Sequence, residues 1–108
     1  MNLELRSLAL YPPTGNHTFE AGLTAAPAVR CPNATVIPDR AEGAVRPDGS
    51  LSWVTLVGPV SGRDPRSRAN WTFCRQSPYP GGALDSADPA AREVIEVLHA
   101  SVLTALRA

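Results

Sequence analysis

The stretch AVRPDGSLSWVTLVG, residues 44–58, decides the fold. Pro47-Asp48-Gly49 is a turn with a physical basis, because proline presets φ, aspartate bonds to the nearby backbone and glycine takes the left-handed position. After the turn, residues 51–57 alternate with apolar side chains on both faces, which is typical of an interior strand. A short strand around Ala44–Arg46 precedes the turn. The stretch therefore predicts an antiparallel hairpin that carries a central strand.

A strand is also predicted at the start of the chain, over Asn2–Leu10. Leu3 and Leu5 point to one side of this strand, whereas Leu8 and Leu10 point to the other. A switch of the apolar face in mid-strand indicates a β-bulge, a strong twist or burial on both faces.

Three further segments have the pattern of strands, over residues 17–23, 29–37 and 70–75. The first alternates apolar and polar residues, as a half-buried strand does. The second contains Pro32, which favours an edge strand or a broken one because proline has no N–H for the ladder. In the third, Trp71 and Phe73 share one face and are expected to be buried.

A C-terminal helix is predicted over residues 88–107. Asp88 is a good N-cap and Pro89 a good first helical residue. One stripe of the helix is apolar, and it consists of Ala91, Ile95, Leu98, Val102 and Ala105.

Together these elements predict an α+β fold. We expect a small twisted antiparallel sheet, or a partly open barrel, of five or six short strands with one C-terminal helix across a face. The chain of 108 residues is expected to form a single domain. Its parts would be a β-rich region (1–76), a turn-rich connector (77–87) and the helix (88–107).

The apolar arc of the helix is wider than one sheet face can cover. Val94, Val97 and Leu103 lie at its margins, where a monomer usually places polar groups. We therefore predict that these three residues contact a protein partner, which is either a second copy in a homo-oligomer or a different protein. The chain would then be a small non-enzymatic interaction or assembly module that acts through a sheet and helix surface.

An arginine-rich loop supports an alternative function. Arg63, Arg66, Arg68 and Arg75 lie near aromatic residues in the sequence, as in binders of single-stranded nucleic acid, and the turn-rich strands are compatible with an OB-type barrel. Ten basic residues balance ten acidic ones, however, and such binders usually carry a basic excess. Asp64 lies within the same loop.

A small enzyme of unknown class is the third interpretation. His17, His99 and Cys31 are the residues that could take part in such chemistry. They match no catalytic or metal-binding motif, so we predict no catalytic residue, cofactor or metal site. Cys31 and Cys74 are expected to be reduced and too far apart to bridge.

The composition suggests the setting of the protein. All ten basic residues are arginine, which is consistent with a high-GC bacterial genome. No apolar stretch approaches the length of a membrane span, and the start of the chain lacks the pattern of a signal peptide. We therefore expect a cytoplasmic protein without a membrane partner, or a secreted one if a signal peptide has been removed.

Overall fold

The computed structural model describes residues 3–11, 15–32, 34–74 and 88–107. Its elements are β1 (Glu4–Leu10), β2 (His17–Thr24), β3 (Val29–Cys31), β4 (Ala34–Val36), β5 (Arg40–Val45), β6 (Leu51–Pro59), β7 (Arg68–Cys74) and α1 (Pro89–Arg107). An antiparallel sheet has the order β1-β2-β5-β6-β7, and β3 pairs with β4 in a second, smaller sheet. The predicted α+β fold is confirmed. Of the two predicted arrangements, the structure has the antiparallel sheet, which does not close into a barrel. The predicted connector, 77–87, lies outside the described residues.

The hairpin predicted around Pro47–Gly49 is present and joins β5 to β6. The amide of Arg46 donates to the carbonyl of Ser50 at 2.8 Å, and Gly49 has a φ of 89°. The Asp48 carboxylate accepts a hydrogen bond from the Ser50 amide at 2.8 Å. β6 pairs with β5 on one side and β7 on the other, as predicted for an interior strand.

The switch of apolar face in β1 is a β-bulge. The pairing with β2 shifts between Leu5 and Ser7, so that Arg6 is the extra residue. The Ser7 hydroxyl accepts a hydrogen bond from the amide of Gly22 at 3.0 Å. Because the bulge adds one residue, Leu8 returns to the same face as Leu5, and both pack against the core.

The predicted segment 29–37 is two strands instead of one. β3 and β4 form a hairpin in which Val29 lies opposite Val36, and both valines are fully buried. After β4 the chain runs along β6, where the amide of Ile37 donates to the carbonyl of Pro59 at 3.0 Å. The first of these strands ends before Pro32, which has no N–H group to donate to a continuous ladder.

β5 is longer than predicted and begins at Arg40 instead of Ala44. Its sequence, RAEGAV, has two alanines and a glycine, which rarely occur in strands. Gly43 is required by packing, because a Cβ there would lie 2.5 Å from the carbonyl oxygen of Trp53 and 2.7 Å from the ring of Phe19.

The core lies between one face of the large sheet and the helix. The helix contributes Ala91, Val94, Ile95, Leu98 and Val102. The sheet contributes Phe19, Ala21, Leu23, Ala41, Val45, Leu51, Val54, Leu56 and Phe73, and the small hairpin adds Val29. No polar or charged side chain is buried among the described residues. The sheet therefore has one covered face and one face directed away from the helix.

The start of the helix is fixed by the predicted N-cap. The Asp88 carboxylate accepts hydrogen bonds from the amide of Ala90 at 3.1 Å and from the amide of Arg30, in β3, at 2.7 Å. One side chain thus caps the helix and joins it to the small hairpin.

Candidate protein-interaction surface

The predicted partner surface on the helix is largely covered by the chain itself. Val94 is 0% exposed and belongs to the core, so the prediction that it contacts a partner is wrong. Leu103 is half-buried and packs against the core, and Val97 is also half-buried. The prediction for Val97 and Leu103 therefore concerns a narrow, partly covered strip.

The β5–β6 turn provides part of this cover. The Nε2–H group of His99 donates to the carbonyl of Gly49 at 2.7 Å, since a carbonyl can only accept. A Cβ built on Gly49 would lie 3.8 Å from Leu103, so the turn also reaches the predicted margin. Tyr11 and Ile37 are the exposed large hydrophobic residues of the described part of the chain, and neither is on the helix.

The arginine loop is already partly neutralised. Both outer nitrogens of Arg68 donate to the Asp39 carboxylate, at 2.6 and 2.9 Å, in a bidentate pair. Arg63 and Arg66 are exposed on either side of Asp64, whose carboxylate accepts the amide of Arg66 at 2.8 Å. Arg75 lies outside the described residues. The loop therefore offers less positive charge to a polyanion than the sequence suggested.

The Asp39–Arg68 pair makes folding stability depend on pH. Hydrogen bonds from Arg68 hold the pKa of the Asp39 carboxyl below its ordinary value. Because the folded-state pKa is the lower one, the pair stabilises the fold above the ordinary pKa of aspartate, and this contribution is lost as the pH falls through the folded-state pKa. Asp39→Asn should therefore lower the urea midpoint at about pH 7, and its difference from wild type should shrink towards about pH 2. An equal difference at both pH values would contradict this account.

The candidate catalytic groups do not form an activated site. Cys31 and Cys74, both described, are not joined by a disulfide. Burial, together with the nearby Asp88 carboxylate, raises the pKa of the Cys31 thiol, which disfavours the reactive thiolate. The described residues contain no group of three His, Cys, Asp or Glu side chains that could hold a metal ion. The described helix is not long and apolar enough to cross a membrane.

The second face of the large sheet, here called the open face, carries a different set of residues. Its side chains alternate with those of the core on all five strands. They are Ser7 and Ala9 on β1, Thr18, Glu20 and Gly22 on β2, Arg40, Glu42 and Ala44 on β5, Trp53, Thr55 and Val57 on β6, and Asn70, Thr72 and Cys74 on β7. The described helix and the small hairpin pack on the other side, so neither covers this face.

Two carboxylates lie side by side on the open face. Glu20 of β2 is directly opposite Glu42 of β5, and both side chains are half-buried. The Nη2 of Arg40 lies 3.5 Å from the Oε1 of Glu20, so these two side chains form an ion pair. The hydroxyl of Tyr11 is hydrogen-bonded to Glu20, which raises the pKa of the tyrosine. Like charges in directly paired positions destabilise a sheet, so this arrangement is unfavourable for an isolated chain.

A shallow hollow lies next to these charges. It has a volume of about 290 Å³ and is lined by Arg6, Ser7, Glu20, Gly22 and Arg40, among others. The β1 bulge carries Arg6 to this side of the sheet. The side chains of Arg6 and Ser7 pack directly over Gly22, where an added Cβ would lie 2.7 Å from the Ser7 Oγ.

The β6–β7 side of the open face combines apolar and polar groups. Trp53 and Val57 are half-buried and lie on either side of Thr55. Thr55 and Thr72 are paired across the two strands, with their hydroxyl oxygens 2.7 Å apart. Ala44, opposite Trp53, is fully buried although it lies on this face.

The geometry defines a small α+β fold with one covered and one open sheet face. Comparison of the chain with known protein families, with curated proteins and with solved structures gives no match. Sequence reasoning missed the open face, because its character depends on which strands are neighbours and in what register.

Proposed function

We propose that this chain is a small non-enzymatic protein-interaction module and that the open face is its binding surface. The observation that carries the proposal is the combination, on one sheet face, of a partly exposed tryptophan with two directly opposed carboxylates. Trp53 is held on the interior strand β6, and Glu20 and Glu42 on the adjacent pair β2 and β5.

Tryptophan supports this proposal by its chemistry. It is enriched at protein interfaces because it combines a large apolar ring with one hydrogen-bond donor. On the solvent side of an antiparallel sheet, the usual pattern is polar. Trp53 departs from that pattern, as does Val57 on the same face.

The opposed carboxylates support the proposal because their repulsion destabilises the isolated chain. Glu20 beside Glu42 is expected to destabilise the sheet by a few tenths of a kcal/mol to about 1 kcal/mol, and Arg40 compensates only one of them. Local choices that conflict with folding tend to occur at functional sites. A partner that supplies a positive charge would relieve this repulsion.

The open face replaces the helix margin as the proposed contact surface. Val97 and Leu103 remain at most a secondary strip, because the side chains around them are covered by the chain's own turn and sheet. The solvent side of the helix carries Arg92, Glu93, Glu96 and Thr104, which are all exposed.

A site-specific photo-crosslinker tests this proposal. Benzoylphenylalanine replaces Trp53, one aromatic side chain for another, and the matched control places it at Thr104 on the exposed side of the helix. Irradiation in extract of the native host should give a discrete adduct of higher mass from position 53 and not from position 104. Equal yields at both positions, or no adduct at either, would contradict the proposal.

A further inference from the structure

We infer that the partner on the open face is a second copy of this chain, related by a two-fold axis that runs across the strands at Ala41. This inference rests on the proposed function and names its partner. The axis would place Arg40 of each copy opposite Glu42 of the other.

The charge pattern on β5 is self-complementary. Arg40 and Glu42 are two residues apart on one strand, so they share the open face about 7 Å apart. A two-fold axis at Ala41, perpendicular to the strand, reverses the strand direction. It therefore sets each arginine against a glutamate, and the two ion pairs form together.

The rotation also brings the whole face into the contact. Because the axis runs across the strands, each strand of the order β1-β2-β5-β6-β7 lies over the same strand of the second copy. The strand register places the axis close to the middle of the other four strands, at Leu8, Ala21, Leu56 and Trp71. The two sheets therefore overlap over most of the open face.

The neighbouring strand fits the same rotation. Ala21 lies opposite Ala41, so the axis also crosses β2 at Ala21 and places Glu20 of one copy over Gly22 of the other. Gly22 forms part of the hollow that Arg6 and Arg40 line. The side chains of Arg6 and Ser7 lie over Gly22, where an added Cβ would be 2.9 Å from the Arg6 Nε and 2.7 Å from the Ser7 Oγ. The Glu20 carboxylate of one copy therefore faces a guanidinium group and a hydroxyl group of the other, and both can donate hydrogen bonds to it.

The apolar side of the face also finds a counterpart. The axis crosses β6 at Leu56, so Thr55 lies over Val57 of the second copy and Trp53 turns towards Pro59. Each Glu42 thus gains an attraction to Arg40 of the other copy, which offsets its repulsion from Glu20, and the tryptophan gains an apolar partner.

The area of the open face predicts a weak dimer. Five strands lie about 4.8 Å apart, and a strand of seven residues rises about 3.3 Å per residue, so the face covers roughly 500 Å² per copy. The total of about 1,000 Å² is at the lower end of specific interfaces. Association should therefore depend on concentration, and added salt should weaken it because exposed ion pairs are screened.

Charge reversal with mixing tests the inference, by sedimentation equilibrium up to about 1 mM protein. Wild type should approach the mass of two chains. Arg40→Glu and Glu42→Arg should each dissociate at least about ten-fold more readily, since like charges then face each other. An equimolar mixture of the two variants should recover dimer, because the two β5 glutamates of the first variant then meet the two β5 arginines of the second.

The controls separate the interface from the fold. Arg92→Glu reverses an exposed charge on the helix and should leave the mass unchanged. Where a reversal disturbs the circular dichroism spectrum, Arg40→Gln and Glu42→Gln remove the pair without repulsion and should also dissociate more readily than wild type.

Two results would overturn the inference: a wild type that stays monomeric throughout, or a mixture of the reversed variants that does not associate. If a monomeric wild type still gave an adduct from the crosslinker at position 53, the open face would bind a different protein and the proposed function would stand. Failure of both experiments would remove both proposals.

Discussion

Phe19→Ala should lower the free energy of unfolding by about 3–5 kcal/mol, as is usual when a large aromatic side chain is removed from a core. Phe19 is 1% exposed and lies on β2, where its ring faces the space above Gly43. Glycine cannot expand into the cavity, so the site would collapse poorly. Urea unfolding followed by circular dichroism measures the loss.

A graded series gives this prediction its control. Phe19→Leu keeps most of the volume and should cost clearly less than alanine, whereas Thr18→Ala changes the exposed neighbour on the open face and should cost little. A loss below about 1 kcal/mol for Phe19→Ala would show that this part of the sheet is not packed as described.

Phe19 also matters for function because it adjoins Glu20 in the sequence. Alternation along β2 directs the ring into the core and the carboxylate to the open face. The buried ring therefore fixes the register that places Glu20 opposite Glu42. The unfavourable pair is maintained by core packing, which is much stronger than the repulsion.

Local patterns in the sequence were enough to predict the helix and the β5–β6 turn, whereas the bulge in β1 was one of three explanations for the change of its apolar face. Asp88 and Pro89 predict the helix start because capping depends on neighbouring residues only. The Pro47–Gly49 turn is likewise a local structure. In each case the deciding interactions join residues close together in the chain.

The partner surface could not be predicted in this way. The apolar arc of the helix exceeds what one sheet face covers, but the sequence does not show that the β3–β4 hairpin and the β5–β6 turn also pack there. Val94 is fully buried in the core, and His99 binds a carbonyl 50 residues away. Such long-range contacts depend on the tertiary fold.

The charges show the same limit. The sequence predicts that Arg68 is available to a phosphate, but Asp39, 29 residues earlier, is its partner. Glu20 and Glu42 have the sequence pattern of ordinary surface residues, and only the register of β2 with β5 shows that they are directly opposed. The candidate site therefore follows from strand pairing, which periodicity alone does not determine.

The second large effect is expected from Gly58→Ala, which should lower the free energy of unfolding by about 3 kcal/mol. A Cβ on Gly58 would overlap the carbonyl group of Ile37 and lie 2.9 Å from the Cα of Pro38. These are backbone atoms, so no side-chain rotation can relieve the clash. The segment between β4 and β5 would have to move away from β6, which would break the hydrogen bond from Asp39 to Val57, 2.9 Å long.

This displacement would also reach the proposed interface, because Asp39 directly precedes Arg40 on β5. In the absence of urea, Gly58→Ala should keep a native circular dichroism spectrum. Its self-association should nevertheless be weaker than that of wild type. Gly62→Ala is the matched control: Gly62 has a φ of 79° but no atom within 4 Å of an added Cβ, so only backbone strain of about 1 kcal/mol is expected, with an unchanged dimer. If both variants lost stability equally, backbone conformation rather than the close approach of Ile37 would explain the glycine at position 58.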